Sequence, residues 1–136
     1  MSTAPAAVTK ACDYERLENG IHYFRFNKAS KEALDQQVEK LGEILASTST
    51  SATVRVLLDF RPAGFPPITY AFQKVRAMNM SIPQRPPQRL AFLHHPNVLT
   101  QVVQSFIQLQ RMKDPIHFFP AEQYDAAIGW LLDDKP

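Results

Sequence analysis

The sequence predicts a single α/β domain built on a mixed, mainly parallel sheet of about five strands with about four helices. Three observations carry this. Two short apolar runs, TVRVLLDF and RLAFLHH, lack the strict polar alternation of a half-exposed strand and fit strands covered on both faces. Helical periodicities separate the strand-like runs, the order expected of parallel crossover units. Near the start, Asn19-Gly20 lies between two strand-like arms and adds an antiparallel hairpin at one side of the sheet.

Taken in order, residues 1–11 are small and polar and are expected to be disordered, leaving 12–136 as the domain. The hairpin is expected to use a type I′ turn, in which both central residues take positive φ. In its second arm Ile21, Tyr23 and Arg25 alternate with His22, Phe24 and Phe26. Apolar groups therefore fall on both faces, as in a strand that is well covered and paired on both sides. Ser30 is a suitable N-cap for a helix over about 31–46, whose apolar stripe is Leu34, Val38, Leu41 and Leu45. A polar connection, STSTSAT, leads into the first buried run, which ends at Asp59. RPAGFPP then forms a turn that cannot be helix or strand interior.

A second helix resumes near Ile68, with Ile68, Phe72, Val75 and either Met78 or Met80 inward. After RLAFLHH, Asn97 is placed to cap a third helix with a broad apolar face: Val98, Leu99, Val102, Val103, Phe106, Ile107 and Leu109. IHFF reads as a last strand. Ala121 to Leu132 reads as a last helix, with Tyr124, Ala127, Ile128 and Leu131 inward.

Composition bounds the function. The 136 residues suffice for one apolar core. The single thiol, Cys12, cannot form an internal disulfide, which suits a reducing cytoplasm. MSTAPAAVTK lacks the basic start and apolar stretch of a secretory signal, and no apolar run is long enough to span a membrane. Peripheral membrane contact and homodimerisation stay open. From Phe60 to Lys113 there is no Asp or Glu, while Arg61, Lys74, Arg76, Arg85, Arg89, Arg111 and Lys113 occur. That bias favours an anionic partner, against the plainer reading of scattered, solvated side chains. The basic residues form no dense helix interleaved with stacking aromatics, so nucleic acid ranks low.

The runs GIHYFRFNKASKEALDQQVEKL, VRVLLDFR and HFFPAEQYDAAIGWL, with this element order, resemble the STAS-like superfamily of anti-sigma-factor-antagonist and sulfate-transporter domains. The likeness is greatest to the small bacterial branch grouped with CRAL-TRIO lipid-transfer-like domains. The resemblance implies a single STAS-like domain acting as a non-enzymatic regulatory or protein-interaction module, of which a signalling antagonist in a bacterial cytoplasm is one form. In the antagonists an Asp-Ser-Ser-Gly at a helix N-terminus carries the phosphorylated Ser. Here Pro67-Ile68-Thr69-Tyr70 occupies that place. Thr69 falls at the modified position, while the Asp, the first Ser and the Gly are absent. A phosphate there would gain from the helix dipole and free N–H groups. The partner or anion surface implied is Arg61, Thr69, Lys74 and Arg76.

The CRAL-TRIO likeness implies an alternative, a binder or carrier of a small apolar or anionic lipid-like ligand. Phe65, Ile68, Phe72, Val102 and Phe106 would wall its pocket, and Arg61, Lys74 or Arg76 would meet an anionic head. The same side chains also suffice as ordinary core. A third reading, an enzyme, would place a site near Asp59, His94 and His95, beyond the carboxyl ends of the strands. No nucleophile or oxyanion signature accompanies them, so no catalytic residue is assigned. Neighbouring His94 and His95 point to opposite faces of a strand, and the only plausible further ligands, His117 and Asp59, have no supporting spacing, so no metal site is assigned. No Gly-rich phosphate loop is present, so no cofactor is expected.

Overall fold

A computed structural model of the chain describes residues 10–109 and 114–133. The elements are β1 (Cys12–Arg16), β2 (His22–Phe26), α1 (Lys31–Ser47), β3 (Val54–Asp59), α2 (Ile68–Ser81), β4 (Gln88–His94), α3 (Val98–Leu109), β5 (Ile116–Pro120) and α4 (Tyr124–Leu132). The five strands lie in chain order, β1-β2-β3-β4-β5. β1 pairs antiparallel with β2, and every later pair is parallel. Each crossover from β2 to β5 steps the same way along the sheet. Right-handed crossovers therefore put α1, α2 and α3 on one face. α4 follows the last strand and covers the other.

Strand alternation divides the core accordingly. Phe24, Phe26, Val56 and Leu58 face the three helices and pack with Leu34, Leu41 and Leu45 of α1. Ile21, Leu57, Leu93 and Phe119 face α4 and pack with Ala127 and Leu131. In α1 the Ser30 hydroxyl accepts from Ala33 N at 3.2 Å, which satisfies one of the free donors of the first turn. Asn97 and Thr100 cap the start of α3 reciprocally, each backbone N–H donating to the other's side-chain oxygen at 3.2 Å.

Three expectations need correction. The hairpin loop has three residues, not two. Leu17 N donates to Ile21 O and Gly20 N to Leu17 O, with Gly20 at φ +89°, so the turn closes one residue earlier than a type I′ turn on Asn19-Gly20. Asn19 instead uses its side chain, whose Oδ1 accepts from Ile21 N at 3.1 Å. The domain begins before residue 12: Ala11 is buried and its carbonyl accepts from Asn27 N and Lys28 N, while residues 1–9 lie outside the described residues. α4 starts at Tyr124, because Gln123 N donates to Pro120 O and makes Ala121 and Glu122 a turn. Of the two methionines left as alternatives for the inner side of α2, Met78 is the buried one, at 8% exposure, and Met80 stands out at 73%.

Candidate functional site

On the three-helix face the packing leaves a cavity of about 110 Å³ between the sheet, α1, α2 and α3. Local sequence builds it. Gly64, at φ +89°, donates its N–H to Phe60 O and turns the RPAGFPP segment back over the sheet. That turn delivers Phe65 inward, with its ring 4.7 Å from that of Phe60. Pro67 then precedes α2, and the helical spacing of Ile68, Phe72 and Val75 lays an apolar wall along the cavity. Leu58, Phe60, Leu90 and Phe92 form the floor, and Val103 and Ile107 of α3 close the far side.

Polar side chains meet the cavity at Gln37 of α1 and where α2 ends and β4 and β5 begin, at Asn79, Gln88 and Asp114. Gln88 donates from its backbone N–H to Asp114 Oδ1 at 3.1 Å and from Nε2 to Oδ2 at 3.4 Å. Asn79 Oδ1 is buried and has no hydrogen-bond partner among the described residues. An unpaired buried amide oxygen is costly.

Of the expected pocket residues, Phe65, Ile68 and Phe72 line this cavity. Val102 does not; it is 48% exposed on the outer side of α3, because the broad apolar face of that helix is wider than the surface it covers. The side chain of Phe106 lies outside the described residues.

The acid–base candidates stand apart from the cavity and from one another. Asp59 is 1% exposed on the α4 face. Tyr23 Oη donates to its Oδ2 at 2.6 Å, and Arg61 closes on it with Nε to Oδ1 at 2.9 Å and Nη2 to Oδ2 at 2.9 Å. Arg61 N also donates to Oδ1 at 3.0 Å. Burial alone would raise the Asp59 carboxyl, but the bonds from Arg61 and Tyr23 outweigh it and hold the carboxyl below its ordinary value. Burial first, then the neighbouring carboxylate, pushes the Tyr23 phenol up. The carboxylate is thus already saturated with donors.

His94 points to the opposite face, between the rings of Phe65 and Phe118 at 5.9 and 5.6 Å, with Nδ1 3.4 Å from Thr100 Oγ1. His95 is exposed, and His117 lies against Phe119 and Trp130 on the α4 side. Asp59 and His94 therefore do not converge, which removes the geometric basis for the catalytic site considered above. No three His, Cys, Asp or Glu side chains among the described residues gather to hold an ion. Cys12 is buried in β1, and burial pushes its thiol up to about 12, so its chemistry is that of a small apolar group.

A solved structure decides the architecture. A protein from Shewanella loihica PV-4, described as an uncharacterised protein of the DUF3478 family with a SpoIIAA-like fold, superposes over 96% of this chain and 98% of its own with a TM-score of 0.61 at 17% identity. The fold is STAS-like. At that identity the likeness speaks for the fold alone. No protein-family model matches the chain, and no curated protein does. No helix among the described residues is long and apolar enough to cross a membrane.

Within this STAS-like domain, Thr69 is exposed in the first turn of α2. Pro67 at the N-cap supplies no side-chain bond to that turn. Arg61 is drawn away into the Asp59 clamp, and its Nη1 donates to Ala121 O at 3.3 Å. Lys74 lies on α2 with Nζ 3.7 Å from Asp35 of α1, whose carboxylate also accepts from the Tyr70 hydroxyl. Arg76 is exposed. Arg89 stacks over Trp130 at 3.9 Å on the α4 side. The acid-free stretch is therefore split between both sides of the sheet and does not form one basic face among the described residues; Arg111 and Lys113 lie outside them. None of the described Lys or Arg residues lines the cavity, so the expected pairing of an anionic head with Arg61, Lys74 or Arg76 finds no counterpart there.

Sequence reasoning missed Asn79, Gln88 and Asp114. One signal was available: Gln88 opens an apolar strand with an amide that turns out 5% exposed, where burial ordinarily demands a partner.

Proposed function

We propose that this chain is a non-enzymatic, STAS-like binding module that holds a small, mainly apolar molecule between its three-helix layer and its sheet. The carrying observation is the cavity of about 110 Å³ walled by α2 and α3. An engineered apolar cavity of about 150 Å³ admits benzene. The volume here suits a body of roughly that size or smaller, and it excludes the bulk of a phospholipid. The test is thermal unfolding of the full chain with five- and six-carbon probes. A ligand bound only by the folded state raises Tm saturably. Filling the cavity with Ala71→Leu should abolish that rise. Equal response of both proteins, or none in either, would contradict the reading.

A second reading keeps the module regulatory through protein contact at the RPAGFPPIT loop and α2. It is favoured by the exposed Thr69 hydroxyl on a first turn with no side-chain cap. In this reading Thr69→Glu changes retention of a protein partner from the native lysate while Tm stays within about 2 °C. Identical retention by wild type and variant would count against it. Arg61 is unsuited to that test, because its removal uncovers Asp59.

A further inference from the structure

We propose that Gln37 is the polar anchor for the cavity's occupant, and that this occupant carries a neutral amide-type group, as a small lactam or primary carboxamide does, on an apolar body. This rests on the ligand-binding reading above and names the chemistry of its ligand. α1 buries one stripe, in which Leu34, Val38, Leu41 and Leu45 are apolar and Gln37 is not. Gln37 lies one turn from Leu34 and one turn from Leu41, and all three line the cavity. It is buried, at 3% exposure. A leucine would continue the stripe, whereas an amide set among apolar groups is costly unless it is paired. The Gln37 side-chain amide has no hydrogen-bond partner among the described residues, and neither Oε1 nor Nε2 is sealed in the way that Asn79 Oδ1 is. A guest in the cavity can therefore reach both atoms. The amide offers donors on Nε2 and an acceptor on Oε1, side by side. The group that answers both at once is a second amide. A lactam holds its N–H and C=O on one side of the ring, so two parallel N–H···O=C bonds can form. A carboxylate brings only acceptors and an ammonium only donors, so each leaves one half of Gln37 unpaired. The hydrocarbon part of the ligand lies against Leu58, Phe60 and Phe65.

The experiment compares 2-piperidone with its isomer 1-methyl-2-pyrrolidone, which lacks the lactam N–H, and with benzene, which has neither polar group. Each is titrated into the full chain, and affinity is read from the methyl resonance of Met78, which lines the cavity. 2-Piperidone should bind tighter than its isomer, and the Gln37 side-chain NH2 resonances should move in step with Met78. In Gln37→Met, similar in length but without the amide, the preference for 2-piperidone over its isomer should fall about fivefold or more, the effect of one hydrogen bond. Benzene should bind that variant at least as tightly as it binds the wild type. Gln37→Leu takes its place should the first variant not fold. An unchanged preference in the variant, or saturation at Met78 while the Gln37 amide stays still, would overturn the anchor and leave the cavity reading intact. Binding of benzene with no binding of 2-piperidone would do the same. No saturable shift with any probe would instead bring down the ligand-binding reading itself.

Discussion

The two faces of the sheet solve the same problem differently. On the α4 face the buried Asp59 receives Tyr23 and Arg61, and the half-buried Arg55 and Arg89 donate to the carbonyls of Leu131 and Trp130. Ile21, Leu57, Leu93, Ala127 and Leu131 close around them with almost no exposure. On the three-helix face a larger core leaves a cavity and an amide oxygen with no partner. Chemistry-bearing residue types thus gather where they are structural, and the candidate site lies where the side chains are plain. A buried charged group is a functional pointer only when its partners are unsatisfied.

That contrast can be broken most severely at Arg61. Arg61→Ala leaves the Asp59 carboxylate buried with Tyr23 as its side-chain donor. Urea unfolding should show a loss of about 2–3 kcal/mol, below the cost of breaking a fully buried pair because the Arg61 side chain keeps 33% exposure. A loss under about 0.5 kcal/mol would mean that the clamp is not structural.

A matched pair of enlargements compares the faces directly. Ala127 is fully buried against the sheet, so Ala127→Leu should destabilise by about 1–3 kcal/mol through overpacking. Ala71 lines the cavity, so Ala71→Leu should be neutral or stabilise by about 0.5–1 kcal/mol. Equal losses at both positions would remove the distinction between a filled and an unfilled face.

Acid separates the faces by pH window. His94 and His22 lie on the three-helix face. Burial lowers both, and Arg16 and Lys40 lower His22 further. The folded state thus binds their protons less readily than the unfolded chain does. Their contribution is complete above the unfolded value of about 6.5 and is lost as pH falls from there toward the lower folded values. Asp59, on the α4 face, is held low. Its contribution is present above about pH 4, the unfolded value, and fades as pH falls through the still lower folded one. Stability measured from pH 8 to 3 should therefore decline in two steps. His94→Phe should shrink the upper step, and a single step near pH 4 would contradict the assignment. The smallest effect is expected at exposed Arg76, where Arg76→Ala should change stability by no more than about 0.5 kcal/mol.

Much of the architecture was legible because hydrophobic period and punctuation agree. The Leu34, Val38, Leu41, Leu45 stripe and the Ser30 cap specify α1, and the β-branched run before Asp59 specifies β3. What escaped depends on single backbone bonds, such as Gly20 N to Leu17 O in the hairpin, which composition does not encode. The candidate site was legible on its apolar side, where Phe65, Ile68 and Phe72 were expected and line the cavity. Its polar end was not. Asn79, Gln88 and Asp114 come from three segments and meet through the parallel alignment of β4 and β5, a tertiary fact with no local signature. Arg61 was left between two readings for a related reason. A basic residue beside a strand-end Asp reads equally well as a free cation or as the clamp it proves to be.

The most direct test of the central claim uses two methionines of one helix. Met78 lines the cavity and Met80, two residues on, is 73% exposed. With the methionine methyls labelled with carbon-13, pentan-1-ol is titrated into the full chain. Binding in the cavity predicts a saturating shift at Met78 with Met80 nearly still. No shift at Met78, or the same unsaturated drift at both, would contradict it.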